Sequence, residues 1–82
     1  MKLTNAIKKL SKFGEVQQNG QLFWVQKNQK VIEFMANGKI NNNTNITCIR
    51  VRYAKDEDDT MTDYFSGTWC DNLTQAIRLA GF

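Results

Sequence analysis

Apolar residues in this chain repeat with two different periods, and the switch between them sets the expected order of elements. Leu3, Ala6, Ile7, Leu10 and Phe13 recur at helical spacing, with Lys8, Lys9 and Lys12 opposite them. That amphipathic stripe predicts a helix from about Lys2 to Lys12. Gly14 stands where a helix wants a left-handed C-cap. Beyond it the period falls to two. Glu15 to Gln18, Gln21 to Lys27 and Lys30 to Ala36 read as three strands. Asn19-Gly20, the preferred pair for a two-residue type I′ hairpin, joins the first two, and a tight turn at Asn28-Gln29 joins the next.

Two-residue loops fix the facing pairs. Val16 should oppose Phe23, Val25 should oppose Ile32, and Phe23 should oppose Phe34, all on one face. Leu22 with Met35 and Trp24 with Glu33 then face the other way. Asn37-Gly38 begins another turn, and Asn41-Asn42-Asn43-Thr44-Asn45 extends it, because such side chains compete for backbone hydrogen bonds. Ile46 to Tyr53, rich in β-branched residues, predicts a strand with Ile49 and Val51 towards the helices. Its reverse side carries Cys48, Arg50 and Arg52. The run Lys55-Asp56-Glu57-Asp58-Asp59 predicts a loop, and Thr60 to Ser66 a last strand ended by Gly67. Asp71 is the expected N-cap of a final helix with the stripe Leu73, Ala76, Ile77 and Ala80. Gly81 takes its C′ position and Phe82 the accompanying apolar contact. The expected architecture is α+β: an N-terminal helix, an antiparallel meander of four to five strands and a C-terminal helix, in a single domain of residues 1–82.

Composition narrows what this fold does. The 82 residues are 41% hydrophobic and 23% charged, enough apolar material for one small core. No apolar run approaches the roughly 18 residues that span a bilayer, and the N-terminus enters the helical pattern without a signal-peptide core. The expectation is a cytoplasmic protein with no membrane partner. The net charge of +3 is mild and only keeps nucleic acid open as a partner. Cys48 and Cys70 have no CxxC spacing, and the chain has no histidine. A zinc site is therefore not expected, and two reduced thiols are.

The same lack of histidine removes the usual acid–base group at neutral pH. The acidic run Asp56 to Asp59 lacks the spaced oxygen ligands, central glycine and terminal glutamate of a calcium loop, so a solvated turn is expected. Ser11, Ser66 and Cys70 have no base to activate them. The chain predicts no enzyme, no catalytic residue, no metal and no cofactor.

Two resemblances bear on function. Lys2 to Gly14, then Asn19-Gly20, then Leu79-Ala80-Gly81-Phe82 resembles the HicA-type mRNA-cleaving toxins, a family with a helix, three strands and a helix and a likeness to double-stranded-RNA-binding domains. The family's catalytic histidine follows a glycine at the first hairpin. This chain reads Gly20-Gln21-Leu22-Phe23 there, so the resemblance implies the scaffold without the nuclease. Thr62-Asp63-Tyr64-Phe65-Ser66-Gly67, followed by Asp71-Asn72-Leu73-Thr74-Gln75-Ala76-Ile77, is similar to the closing block of short uncharacterised phage and prophage proteins. Many small phage proteins bind and block host machinery, including defence systems, and that is what this resemblance implies.

The face turned from Phe23 and Phe34 carries Leu22, Trp24, Val31, Met35 and Cys48, with Glu33, Arg50 and Arg52 among them. One helix on each side of the sheet, or loops folded over this side, would make it an interior. An open face would instead bind a host protein or a second copy through Leu22, Trp24, Met35, Arg50 and Arg52, residue types enriched at interfaces. The other reading is RNA or DNA binding, with Trp24 stacking a base and Arg50 and Arg52 neutralising phosphates. Pairing of the arginines with Glu33 or Asp63 competes with it. The expected function is a non-enzymatic interaction protein, phage-borne and directed at a host or self partner.

Overall fold

The computed structural model describes residues 1–54 and 67–82. Its elements run α1 (Leu3–Leu10), β1 (Gln17–Asn19), β2 (Leu22–Lys27), β3 (Lys30–Asn37), β4 (Asn45–Tyr53), β5 (Thr68–Trp69) and α2 (Leu73–Ala80). The five strands form one antiparallel sheet in the order β1-β2-β3-β4-β5. This is the α+β arrangement that the two periodicities imply. The expected acidic loop and the strand Thr60 to Ser66 lie outside the described residues.

Both helices pack on the same side of the sheet. Leu3, Ala6 and Leu10 of α1 and Leu73, Ala76 and Ala80 of α2 share one buried cluster with Phe23, Val25, Ile32, Phe34, Ala36, Ile49 and Val51. Small residues on the helix stripes let the backbones approach the sheet, while Phe34 and Ile32 are fully enclosed. Phe23 and Phe34 face each other across β2 and β3 with ring centroids 5.6 Å apart. An aromatic pair of this kind adds about 0.5–1.5 kcal/mol beyond its buried area.

The β2–β3 hairpin has the expected register throughout, from Lys27 opposite Lys30 to Leu22 opposite Met35. The first hairpin does not. Asn19 pairs with Leu22, so the loop is Gly20-Gln21 rather than Asn19-Gly20, and Val16 does not oppose Phe23. The first loop residue has positive φ in both hairpins, +62° at Gly20 and +57° at Asn28. Primed turns require that sign at this position, and glycine meets it most cheaply. Moving a two-residue loop by one position shifts each pairing by two residues, so every side chain keeps its face. Val16 still packs against the core.

The helix ends also differ in detail from expectation. The N-cap of α2 is Asn72, not Asp71: the Gln75 amide donates to Asn72 Oδ1 at 2.8 Å. Gln75 reaches back, its Oε1 accepting from the Asp71 amide at 2.8 Å. These reciprocal bonds amount to a capping box shifted by one residue. At the other end Gly81 has φ +74°, its N–H donates to Arg78 O, and the Phe82 N–H donates to Ile77 O. The two bonds are those of a Schellman motif, and the Phe82 ring packs across on Phe13, beyond the end of α1, with centroids 5.4 Å apart. By contrast α1 ends at Leu10 with Ser11 as its cap, and Gly14 does not have the left-handed conformation of a cap. Gly14 serves close approach instead, since a Cβ there would sit 3.2 Å from Val25 Cγ2 and 3.3 Å from Gln26 O.

Candidate interaction face

A bulge in β4 decides which side chains share the face away from the helices. Glu33 pairs with Arg50, but Met35 pairs with Thr47, so Cys48 and Ile49 together oppose Phe34. Cys48 is the extra residue, with φ +54°, in the left-handed conformation that such a bulge ordinarily assigns to glycine. Strict alternation from Ile46 would put Cys48 and then Arg50 into the core. The bulge resets the phase: Ile46, Ile49 and Val51 pack on the core, and Arg50 and Arg52 turn away. Cys48 thus has no facing partner on the reverse side, where it was expected. Thr47 opposes Met35 in its place.

One transverse row then crosses all five strands. Gln17 opposes Trp24, Trp24 opposes Glu33, Glu33 opposes Arg50, and Arg50 opposes Trp69. Directly opposed residues project from the same side of a sheet, so this row is a surface feature in its own right. Val31 and Arg52 flank it in one direction, Leu22, Met35 and Thr47 in the other. Gly67 brings Trp69 into the row. It has φ +95°, and a Cβ there would lie 2.5 Å from Val51 O and 2.9 Å from Arg52 Cβ. Only glycine lets the chain lie down against β4 at this point.

At the centre of the row Glu33 is shared by two guanidinium groups. Arg50 donates to Glu33 Oε1, and Arg52 Nε donates to Glu33 Oε2 at 3.3 Å. Arg52 Nη1 also donates to Tyr53 O at 3.3 Å. All three charged side chains are 3% exposed. Both carboxylate oxygens are engaged, which removes Glu33 as a general base. The Trp69 ring lies 5.5 Å from Arg50 Cζ, a cation–π distance, and is itself 54% exposed. The face therefore has a charged, closed centre, with Leu22, Trp24 and Met35 partly buried beside it and Trp69 open at its edge.

Of the five residues expected to contact a partner, the fold brings all to this face, but Arg50 and Arg52 act within it as partners of Glu33. Trp69 was not anticipated. Its strand is two residues long, too short for alternation to register, and only the preceding Gly67 marks the site. The cysteines are separate thiols: Cys48 is exposed, and Cys70 is partly buried with its N–H donating to Ile49 O at 2.9 Å. Burial first, then the neighbouring Asp71 carboxylate, pushes the Cys70 thiol above its ordinary value, which leaves it a poor nucleophile. Among the described residues no group of His, Cys, Asp and Glu is arranged to hold a metal ion. No helix among them is long and apolar enough to cross a membrane.

Fold and face together define a small α+β protein, with two helices on one side of a five-stranded sheet and a tryptophan-flanked ionic cluster on the other. No family model, curated protein or solved structure matches the chain.

Proposed function

We propose that this chain is a non-enzymatic interaction protein whose partner, a host protein or a second copy, docks on the sheet face away from the helices. The observation that carries the reading is the placement of both helices on one side, with Trp69 left 54% exposed on the other, in the same transverse row as Trp24 and separated from it by β3 and β4. Tryptophan is the residue type most often found at the energetic centre of an interface. The Glu33–Arg50–Arg52 cluster has a supporting part: it stiffens the middle of the face and holds Arg50 under the Trp69 ring. Contact with the partner falls to Trp69, Trp24, Leu22 and Met35. A phage-borne setting, with a host defence system as the target, rests on the resemblance of residues 62–67 and 71–77 to short phage proteins. The nucleic-acid reading gains nothing from Arg50 and Arg52, because both guanidiniums are buried against a carboxylate and do not face a phosphate.

The test is substitution at the open edge. Trp69→Glu should stay folded by circular dichroism, yet lose self-association in light scattering or lose a partner captured by the wild type from nuclease-treated host lysate. A folded Trp69→Glu and a folded Trp24→Glu that keep both the mass and every captured partner would overturn the proposal.

A further inference from the structure

The two edges of the sheet are finished differently. Along β4, backbone bonds with Met1, Leu3 and Cys70 and the pairing of β5 supply cover. Along β2, the chain at Gly14 lies over the edge beyond β1, where a Cβ would sit 3.3 Å from Gln26 O. β1 has no such cover among the described residues, and Gln17, Gln18 and Asn19 are all exposed. Natural sheets blunt an open edge with a charge, a proline, a bulge or a short strand. Of these devices β1 has only its length of three residues: its side chains are neutral carboxamides, and its pairing with β2 is unbroken.

The register of the first hairpin shows which backbone groups are open. Facing pairs of an antiparallel ladder alternate between those that exchange both N–H···O bonds and those that exchange none. Asn19 and Leu22 close the two-residue loop Gly20-Gln21 as a bonded pair, and Gln17 with Trp24 is the next bonded pair. The other side of β2 has the complementary phase. There the Ala36 N–H donates to Gln21 O at 2.8 Å, which turns the backbone of Leu22 and Trp24 towards β1. Gln18 opposes Phe23 between the two bonded pairs, so its N–H and C=O are directed away from the sheet. Its side chain stays on its own hairpin, Nε2 donating to Gly20 O at 3.0 Å. The outward donor and acceptor of Gln18 are unused among the described residues.

We infer that β1 is a strand-addition edge whose partner is β1 of a second copy, antiparallel and centred on Gln18. A two-fold axis through the Gln18 pair lets each Gln18 give its N–H to the C=O of the other. Gln17 then opposes Asn19 of the copy, Val16 opposes Gly20, and Glu15 opposes Gln21. Glu15, the one charge in the stretch, thus meets a carboxamide, and no like charges face each other along the seam. This self-matching register is what favours a second copy over a foreign strand. The seam is short, which places the association at about 0.1–1 mM, the weak end of specific contacts. Because the axis is perpendicular to the sheet, the pair has all its helices on one side and both tryptophan faces on the other. The edge is separate from the tryptophan face and does not depend on it.

The experiment reads edge pairing in the Trp69→Glu chain, where association through the tryptophan face is removed. Analytical ultracentrifugation should show this chain passing from monomer to dimer as its concentration rises to about 1 mM. The Gln18 amide should exchange about twofold to fivefold more slowly at about 1 mM than at about 0.02 mM, because pairing shields it from water. Adding Gln18→Pro removes the outward donor without touching a bond of the β1–β2 ladder, so the chain should stay folded by circular dichroism and monomeric. Gln18→Lys sets like charges opposite each other across the axis and should weaken pairing about twofold to fivefold at low salt. The inference is overturned if the Trp69→Glu chain stays monomeric at about 1 mM, an outcome that leaves the tryptophan face standing. It is equally overturned if Gln18 exchange does not depend on concentration, or if a folded Gln18→Pro variant still pairs. Should Gln18→Pro unfold the chain, the Gln18 exchange decides alone.

Discussion

Neighbouring residues of β3 show how differently the two sides of this sheet are built. Ile32 and Phe34 point to the helices and are enclosed by apolar groups from five elements, in contacts that depend on volume and hardly on direction. Val31 and Glu33 point the other way and are as deeply buried, at 0% and 3% exposure. There Glu33 is held by directed bonds from Arg50 and Arg52. A core of the first kind tolerates a change of shape that preserves volume. A cluster of the second kind fails when one member is lost. The ionic side agrees with the register: with Glu33 opposite Arg50 one carboxylate reaches both arginines, and the bulge at Cys48 keeps that pairing while Ile46 stays on the core side.

The sharpest break of this contrast is a pair of truncations read by urea denaturation. Phe34→Ala removes a fully enclosed ring and should cost about 3–5 kcal/mol. Glu33→Ala should cost a similar 3–5 kcal/mol although it removes far less apolar area, because two buried guanidiniums lose the carboxylate they share. A cost under about 1 kcal/mol for Glu33→Ala would mean that the two guanidiniums do not depend on this carboxylate. The next effect has the opposite sign. Replacing the trio together, Glu33→Met with Arg50→Leu and Arg52→Leu, should be neutral or stabilising by up to about 4 kcal/mol. Amide exchange on β3 and β4 would show whether the pairing then loosens. A strongly destabilised triple variant would mean that the ionic cluster does more than specify register.

Smaller changes sharpen the comparison at the margins. Gly67→Ala should cost about 1–3 kcal/mol, since the added Cβ meets Val51 O and the φ of +95° suits glycine alone. Its specific signature should be altered Trp69 fluorescence with the far-ultraviolet circular dichroism unchanged. Cys48→Gly should work the other way. Relieving a left-handed cysteine at the bulge should raise stability by about 0.5–1 kcal/mol, visible as a higher urea midpoint at constant m-value.

Most of the fold was legible because alternation and helical spacing report faces, and faces survive small errors of register. Val16 shows this: its expected partner was two residues off, yet its side was right. The β2–β3 hairpin was legible in full, although Asn28-Gln29 lacks the glycine that marks such loops. What could not be read were features made by contacts distant in sequence. The left-handed Cys48 has no local signature, so the phase reset in β4, and with it the place of Thr47, stayed hidden. The choice of Asn72 over Asp71 as cap turned on a Gln75 side chain reaching both residues. Pairing of Arg50 and Arg52 with Glu33 could be anticipated from charge and register, whereas the 54% exposure of Trp69 depends on how Gly67 lays the chain beside β4.

The outer edge of β4 is closed from two ends of the chain. The Leu3 N–H donates to Thr44 O and the Ile46 N–H to Met1 O, while Thr68 and Trp69 pair with Val51 and Arg50 and the Cys70 N–H donates to Ile49 O. The two closures come from opposite ends of the sequence, so the edge is covered in two halves that can be removed separately. A chain clipped before Leu3 or after Tyr53 keeps β4 but leaves half of its outer N–H and C=O groups open to a strand of another molecule, and association through that edge is the expected consequence.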